Sequence, residues 1–180
     1  MNGPVQSVEA LLDPATDDRV RALWDVLAAA GLPSQARHTG ESNAPHVTLA
    51  VRDEVPGDLD GALGEAVGPL PLPVRLGGLL VFARRRCVLA LAVVPSSGLL
   101  DAHARVDHAL AGCGPSAPHL APGTWTPHVT LARGLAPDQV GTAVAALGTL
   151  DDLDGTVVAV RRWDARERRT WTLPRDRAAD

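Results

Sequence analysis

Ala44-Pro45-His46-Val47-Thr48-Leu49-Ala50 and Thr126-Pro127-His128-Val129-Thr130-Leu131-Ala132 are nearly the same word written twice. The second copy follows the first by 82 residues (128 − 46). A short shared word arises by chance, so the surroundings decide whether the chain is duplicated, and they repeat at the same offset. Ahead of the first copy, Val5 to Leu12 reads as a strand, and Asp13-Pro14 supplies an N-cap and a first-turn proline. Val20, Leu23, Trp24, Leu27 and Ala28 then follow the helical stripe as far as Gly31. Behind the first copy, Asp58 caps a helix with Leu59, Ala62, Leu63, Ala66 and Val67 on one face. A strand from about Val74 to Ala83 follows, and Gly77-Gly78 predicts a bulge in it.

The second half runs in the same order. Cys87 to Val94 is a short apolar strand, and Ser96 or Ser97 opens a helix carrying Leu99, Ala102, Val106, Ala109 and Leu110. The His128 strand comes next, then a helix after Pro137 with Val140, Ala143, Val144 and Leu147 on one face, then a strand from Thr156 to Trp163. Thr170 to Leu173 adds a strand beyond the repeat. Strand–helix–strand–helix–strand therefore occurs twice, at about 4–83 and about 87–173. The expected fold is α+β, a single domain over 1–180 built as two lobes related by a pseudo-twofold axis. Two small sheets are expected to face a central groove, with the helices outside.

On a strand, alternation puts His46, Thr48 and Ala50 on one face and Val47, Leu49 and Val51 on the other, toward the helices. His128, Thr130 and Ala132 separate from Val129 and Leu131 in the same way. Each lobe then offers the groove one imidazole and one hydroxyl, with a small alanine leaving space beside them. Imidazoles titrate near pH ~6.5, so one can accept a proton while the other donates one. That equipment suits phosphodiester cleavage by general base and general acid without a metal, with the threonines hydrogen-bonding the phosphate oxygens. One His-x-Thr is ordinary β composition; two, on equivalent strands of a duplicated unit, point to catalysis.

At this point the chain resembles the 2H phosphoesterase superfamily, and within it the 2′-5′ RNA ligases, otherwise called RNA 2′,3′-cyclic phosphodiesterases. The resemblance spans essentially the whole chain. It implies that His46 and His128 are catalytic and that Thr48 and Thr130 bind phosphate, with His128, from the second motif, as the base. It implies water attack on a 2′,3′-cyclic phosphate of an RNA end or a small nucleotide, and in reverse the joining of RNA ends through a 2′,5′ bond. Arg133 matches a position where the RNA-processing members often carry Arg. Simple alternation places it on the face opposite His128, so it reaches the phosphate only if the strand ends or twists. Val51 stands at the matching place in the first copy, which predicts an asymmetric groove. Trp125 sits where relatives often have an aromatic, and is either a platform for a base or a core residue.

Composition narrows the alternatives. All 17 basic residues are Arg, and the net charge of −4 argues against coating long nucleic acid. No apolar run is long enough for a bilayer, and the first ten residues lack the pattern of a secretory signal. Cys87 and Cys113 have no metal-ligand spacing and read as buried thiols in a reducing cytoplasm. A monomer needing neither cofactor nor metal is expected, since no His or Cys cluster supplies zinc ligands and no Gly-rich stretch has phosphate-loop spacing. Arg84-Arg85-Arg86 reads as a solvated hairpin turn, the stretch from Arg161 to Arg169 as a charged strand end, and His103 with Asp107 as a surface ion pair. Arg37 and His38 stand one loop ahead of the first motif, at the groove mouth. Two other readings remain: a phosphodiesterase for another small cyclic or 2′,5′-linked nucleotide, and a nucleotide- or RNA-binding module with little catalysis.

Overall fold

A computed structural model describes residues 5–40 and 42–174. The expected start of the first repeat at about residue 4 and the ends of the expected 1–180 domain lie outside them. The elements run β1 (Gln6–Leu12), α1 (Pro14–Ala29), β2 (His46–Arg52), α2 (Asp60–Ala66), β3 (Leu72–Phe82), β4 (Cys87–Val93), α3 (Ser97–Ala109), β5 (His128–Leu135), α4 (Gln139–Leu147), β6 (Leu153–Asp164) and β7 (Arg169–Thr172). The fold is α+β, and its element order is the duplicated one with β7 added at the end.

The expected pair of small sheets needs correction. All seven strands are hydrogen-bonded into one antiparallel sheet of order β1-β2-β5-β4-β3-β6-β7, and β6 also pairs with β1. Exchanging β1 with β4, β2 with β5 and β3 with β6 maps the pairings among the first six strands onto themselves. The self-mapped pairs locate the axis. Val47 faces Val129, 82 residues on (129 − 47), and the β3–β6 ladder straddles the same offset at Pro73↔Thr156 and Val74↔Gly155. The third strand of each unit pairs with the first strand of the other, β3 with β4 and β6 with β1. Each half-sheet is therefore built from both repeats, and local sequence pattern carries no information about that exchange.

The helices bury the predicted stripes: Val20, Trp24 and Leu27 of α1, and Leu99, Ala102 and Val106 of α3, all lie in the core. The Gly77-Gly78 bulge is present, with the register slipping between Leu76 and Leu79 and Gly78 at φ 71°. Asp13 caps α1 and ties it to the sheet. Its carboxylate accepts from the Thr16 backbone N–H at 3.0 Å, the Thr16 hydroxyl at 2.8 Å and the Thr156 backbone N–H at 2.7 Å. Burial pushes the Asp13 carboxyl up, but these hydrogen bonds outweigh it and hold the pKa at about 2. A depressed carboxyl pKa adds stability that is complete above the unfolded value near 3.8 and is lost as pH falls through about 2. Asp13→Ala is therefore expected to cost about 0.5–2 kcal/mol at neutral pH. Thermal melts of both proteins should converge as pH falls from about 4 to 2. A gap that stays constant over that range would show that the ionised carboxylate is not what stabilises this junction.

Three other expectations are corrected by burial. His103 and Asp107 are not a surface pair: His103 is buried with its Nε2 2.9 Å from the Leu120 carbonyl, and Asp107 instead pairs with Arg52 at 2.7 Å. The stretch after Arg161 is not simply a solvated strand end, because Arg162 is 2% exposed and donates to Gln6, Asp60 and the Val55 carbonyl. Cys87 is buried as expected, whereas Cys113 is only half-buried. Arg84, Arg85 and Arg86 do lie exposed in the β3–β4 turn.

Candidate active site

The single bridge between β2 and β5 builds the site. With Val47 opposite Val129 in an antiparallel pair, one step along each strand sets His46 opposite Thr130 and Thr48 opposite His128. Val47 and Val129 point into the core at 0% and 1% exposure, so the four polar side chains share the other face. A ladder of ordinary spacing puts a diagonal pair such as His46 and His128 about 7–8 Å apart, room for one phosphate.

Both rings are held alike. His46 Nδ1 lies 2.7 Å from the Ala44 carbonyl, and His128 Nδ1 lies 2.7 Å from the Thr126 carbonyl. A carbonyl only accepts, so each Nδ1 carries the proton and each Nε2 is left for chemistry.

Beyond the threonines, strict alternation fails in both copies. Val8 pairs with Ala50 and Glu9 with Thr48, which skips Leu49; Leu89 pairs with Ala132 and Ala90 with Thr130, which skips Leu131. The two bulges occupy equivalent places. Each turns the following alanine inward, so Ala50 and Ala132, at 1% and 0% exposure, line the core rather than the groove. The expectation that they leave space beside the histidines is corrected. The same shift brings Arg133 round to the face of His128 and Thr130, where its Nη2 lies 3.4 Å from Thr130 Oγ1. At each bulge the Thr carbonyl accepts an indole N–H: Trp24 Nε1 reaches Thr130 at 3.0 Å, and Trp125 Nε1 reaches Thr48 at 3.2 Å. Trp125 also lies flat on His103, ring centroids 4.0 Å apart. One face of its half-buried ring is thus covered.

Around this near-symmetric centre the charges are asymmetric. Glu9, 5% exposed, places Oε1 3.6 Å from His46 Nε2. The carboxylate also accepts from Ser7 Oγ at 2.7 Å and from Arg161 Nε at 2.8 Å. Burial works to raise the Glu9 carboxyl, and the neighbouring His46 and Arg161 pull it below its usual value. In the second copy Ala90 pairs with Thr130 as Glu9 pairs with Thr48, so His128 has no such carboxylate. His128 instead packs on Phe82, centroids 4.7 Å apart. Burial pushes its pKa down, the Thr126 carbonyl opposes this, and the charges of Arg133, His46 and His119 lower it further.

Sequence reading missed Glu9, Arg161 and Phe82. The available signal was a carboxylate inside the otherwise uncharged strand Gln6–Leu12. Among the described residues neither Arg37 nor His38 hydrogen-bonds or ion-pairs with the four motif side chains. A cavity of about 430 Å³ around Arg52, Asp107 and Ser116 sits by the far end of β2 from His46. No group of three or more His, Cys, Asp or Glu is gathered as a metal site among the described residues. Among them no helix is long and apolar enough to cross a membrane.

The family model of the 2′-5′ RNA ligase superfamily matches residues 17–169, a span that includes both motifs. The chain belongs to this superfamily, the 2H phosphoesterases. Solved structures agree on the fold. Escherichia coli LigT complexed with 3′-AMP is 19% identical with a TM-score of 0.55, covering 95% of this chain and 94% of that one. TT0787 of Thermus thermophilus is 20% identical with a TM-score of 0.53, covering 94% and 95%. Usb1 of Kluyveromyces marxianus is 14% identical with a TM-score of 0.51, covering 94% and 97%. No match was found among curated proteins.

Proposed function

We propose that this 2H phosphoesterase opens 2′,3′-cyclic phosphates on RNA ends or nucleotides by paired-histidine acid–base catalysis. The observation that carries the reading is the unequal setting of two identically tethered imidazoles. His128, its pKa lowered and Arg133 beside it, is suited to be neutral and accept a proton. His46 has the Glu9 carboxylate 3.6 Å from Nε2, a counter-ion for a ring that carries a proton.

The steps balance. His128 Nε2 takes a proton from water as the water oxygen bonds to phosphorus. The bond from phosphorus to the ribose 2′ or 3′ oxygen breaks, and His46 Nε2 gives that oxygen a proton. A phosphomonoester and a free ribose hydroxyl result. Thr48, Thr130 and Arg133 donate to the non-bridging oxygens as charge gathers there. With a 5′-hydroxyl in place of water, the same steps form an RNA phosphodiester.

The test is a screen of 2′,3′-cyclic mononucleotides, cyclic-phosphate-ended oligonucleotides and 2′,5′-dinucleotides with product analysis, run in excess chelator. Ring opening should persist, because the proton transfers belong to the imidazoles. Loss of activity restored by added metal would overturn the mechanism, and turnover confined to 2′,5′-dinucleotides would overturn the substrate.

A further inference from the structure

The face that carries the four motif side chains continues across β1 and β6 on the His46 side and across β4 and β3 on the His128 side, and only the first is extended by a further strand. Cross-strand partners project to the same face. Thr48, Glu9, Arg161 and Thr172 therefore form one row across β2, β1, β6 and β7. Val51, Ser7, Trp163 and Thr170 form the next. The strand that completes both rows, β7, has no counterpart in the other repeat, so the extension exists only on the His46 side.

At its far end a cavity of about 300 Å³ is lined by Gly40, Ser42, Trp163, Arg168, Arg169 and Thr170. Strand spacing puts Trp163 about 10–12 Å across the sheet from Thr48. Arg161 joins the two places, donating through Nε to Glu9 and through Nη2 to the Ser42 carbonyl at 2.8 Å.

Two of the side chains here, Trp163 and Arg168, are uncommitted, and the partners of the third, Arg169, lie at the surface. Of the four tryptophans, Trp24, Trp125 and Trp171 donate their indole N–H to Thr130, Thr48 and Asp60. Trp163, half-buried, makes no such bond and no ring contact among the described residues. Arg168 likewise has no hydrogen bond or ion pair among them. Arg169 lies over Trp171 at 4.9 Å and pairs with Glu167 at 3.4 Å, both of that pair well exposed. An aromatic ring with no ring or cation stacked on it, and two arginines beside it, offers a stacking surface for a base and donors for a phosphate.

We propose that this cavity is a second nucleotide subsite, in which Trp163 stacks on the base preceding a cyclic-phosphate end and Arg168 and Arg169 hold the linking phosphate. The inference rests on the function proposed above and narrows its substrate to an oligonucleotide. The direction follows from the chemistry. The oxygen that His46 protonates belongs to the same ribose whose 5′ oxygen carries the rest of the chain. Water attacks from the opposite side of phosphorus, where His128 stands. The nucleic acid must therefore leave the centre on the His46 side, where the extra rows lie.

The test uses the full chain with His128→Ala, so that the probes survive. Calorimetry compares a trinucleotide ending in a 2′,3′-cyclic phosphate with the cyclic mononucleotide of its last base. The trinucleotide should bind about tenfold or more tightly. Trp163→Ala should erase that difference, and Trp163→Phe should keep most of it. Arg168→Ser with Arg169→Ser should weaken the trinucleotide and flatten the salt dependence of its binding. The Trp163 indole resonance should move with the trinucleotide and not with the mononucleotide. Equal binding of the two probes, or an unmoved Trp163 resonance, would overturn the subsite while leaving the proposed function standing. No binding of either probe would overturn both.

Discussion

His128→Ala and His46→Ala should each lower kcat by about 10²–10⁴-fold or more, the usual worth of a positioned proton-transfer group. Folding should be nearly untouched. Each ring is only half-buried, and its hydrogen bond runs to a carbonyl two residues back, just ahead of its own strand. Thermal melts and turnover of a 2′,3′-cyclic nucleotide, measured on the same preparations, separate the two effects. The double variant should be little slower than the slower single one, because a base without its acid already lacks half the mechanism. Thr48→Ala and Thr130→Ala each remove one hydrogen bond to a charged group, worth about 1.5–3 kcal/mol, or roughly 10- to 150-fold. A His46→Ala protein that turned over its best substrate at the unsubstituted rate would end the two-histidine mechanism.

The motif pair was legible because a duplication tests itself: one His-x-Thr is composition, while two at an 82-residue offset inside matching elements define equivalent positions (128 − 46). The faces of His46, Thr48, His128 and Thr130 followed from alternation, since no irregularity precedes the threonines. One residue later alternation failed. The bulges at Leu49 and Leu131 contain no glycine or proline to announce them, so alternation puts Ala50, Val51, Ala132 and Arg133 each on the wrong face. Glu9 illustrates a different limit. A lone carboxylate on β1 gains meaning only from partners brought by other strands, His46 on β2 and Arg161 on β6. Local pattern identifies a strand but not its neighbour, and for the same reason the exchange of β3 and β6 between repeats left no trace in the sequence. Trp125 is ambiguous in the sequence because an indole stacks on a base or on an imidazole equally well, and here buried His103 occupies one of its two faces.

In the proposed mechanism the bulge after Thr130 gives Arg133 two separable tasks, and the variant that divides them carries the second large expected effect. Arg133 Nη2 lies 3.4 Å from Thr130 Oγ1, so it reaches the place where a phosphate held by Thr130 gathers charge. Losing one such donor costs about 10²–10³-fold in kcat, and Arg133→Gln should fall in that range. The cation also acts on the base. His128 titrates below the ordinary histidine value first because of burial, and in part because Arg133 repels its imidazolium. Removing that repulsion makes the imidazolium easier to form. The acidic limb of kcat/KM, which records loss of the neutral base, should therefore move to higher pH in Arg133→Gln. The limb reports the coupled pair, so its displacement relative to the unsubstituted protein is the quantity to read. Arg133→Lys keeps the charge and loses the planar fork, so its rate should fall while its acidic limb stays near the original position. A limb that moves alike in both variants would show that packing around His128, and not the charge of Arg133, sets the pH at which the base is lost.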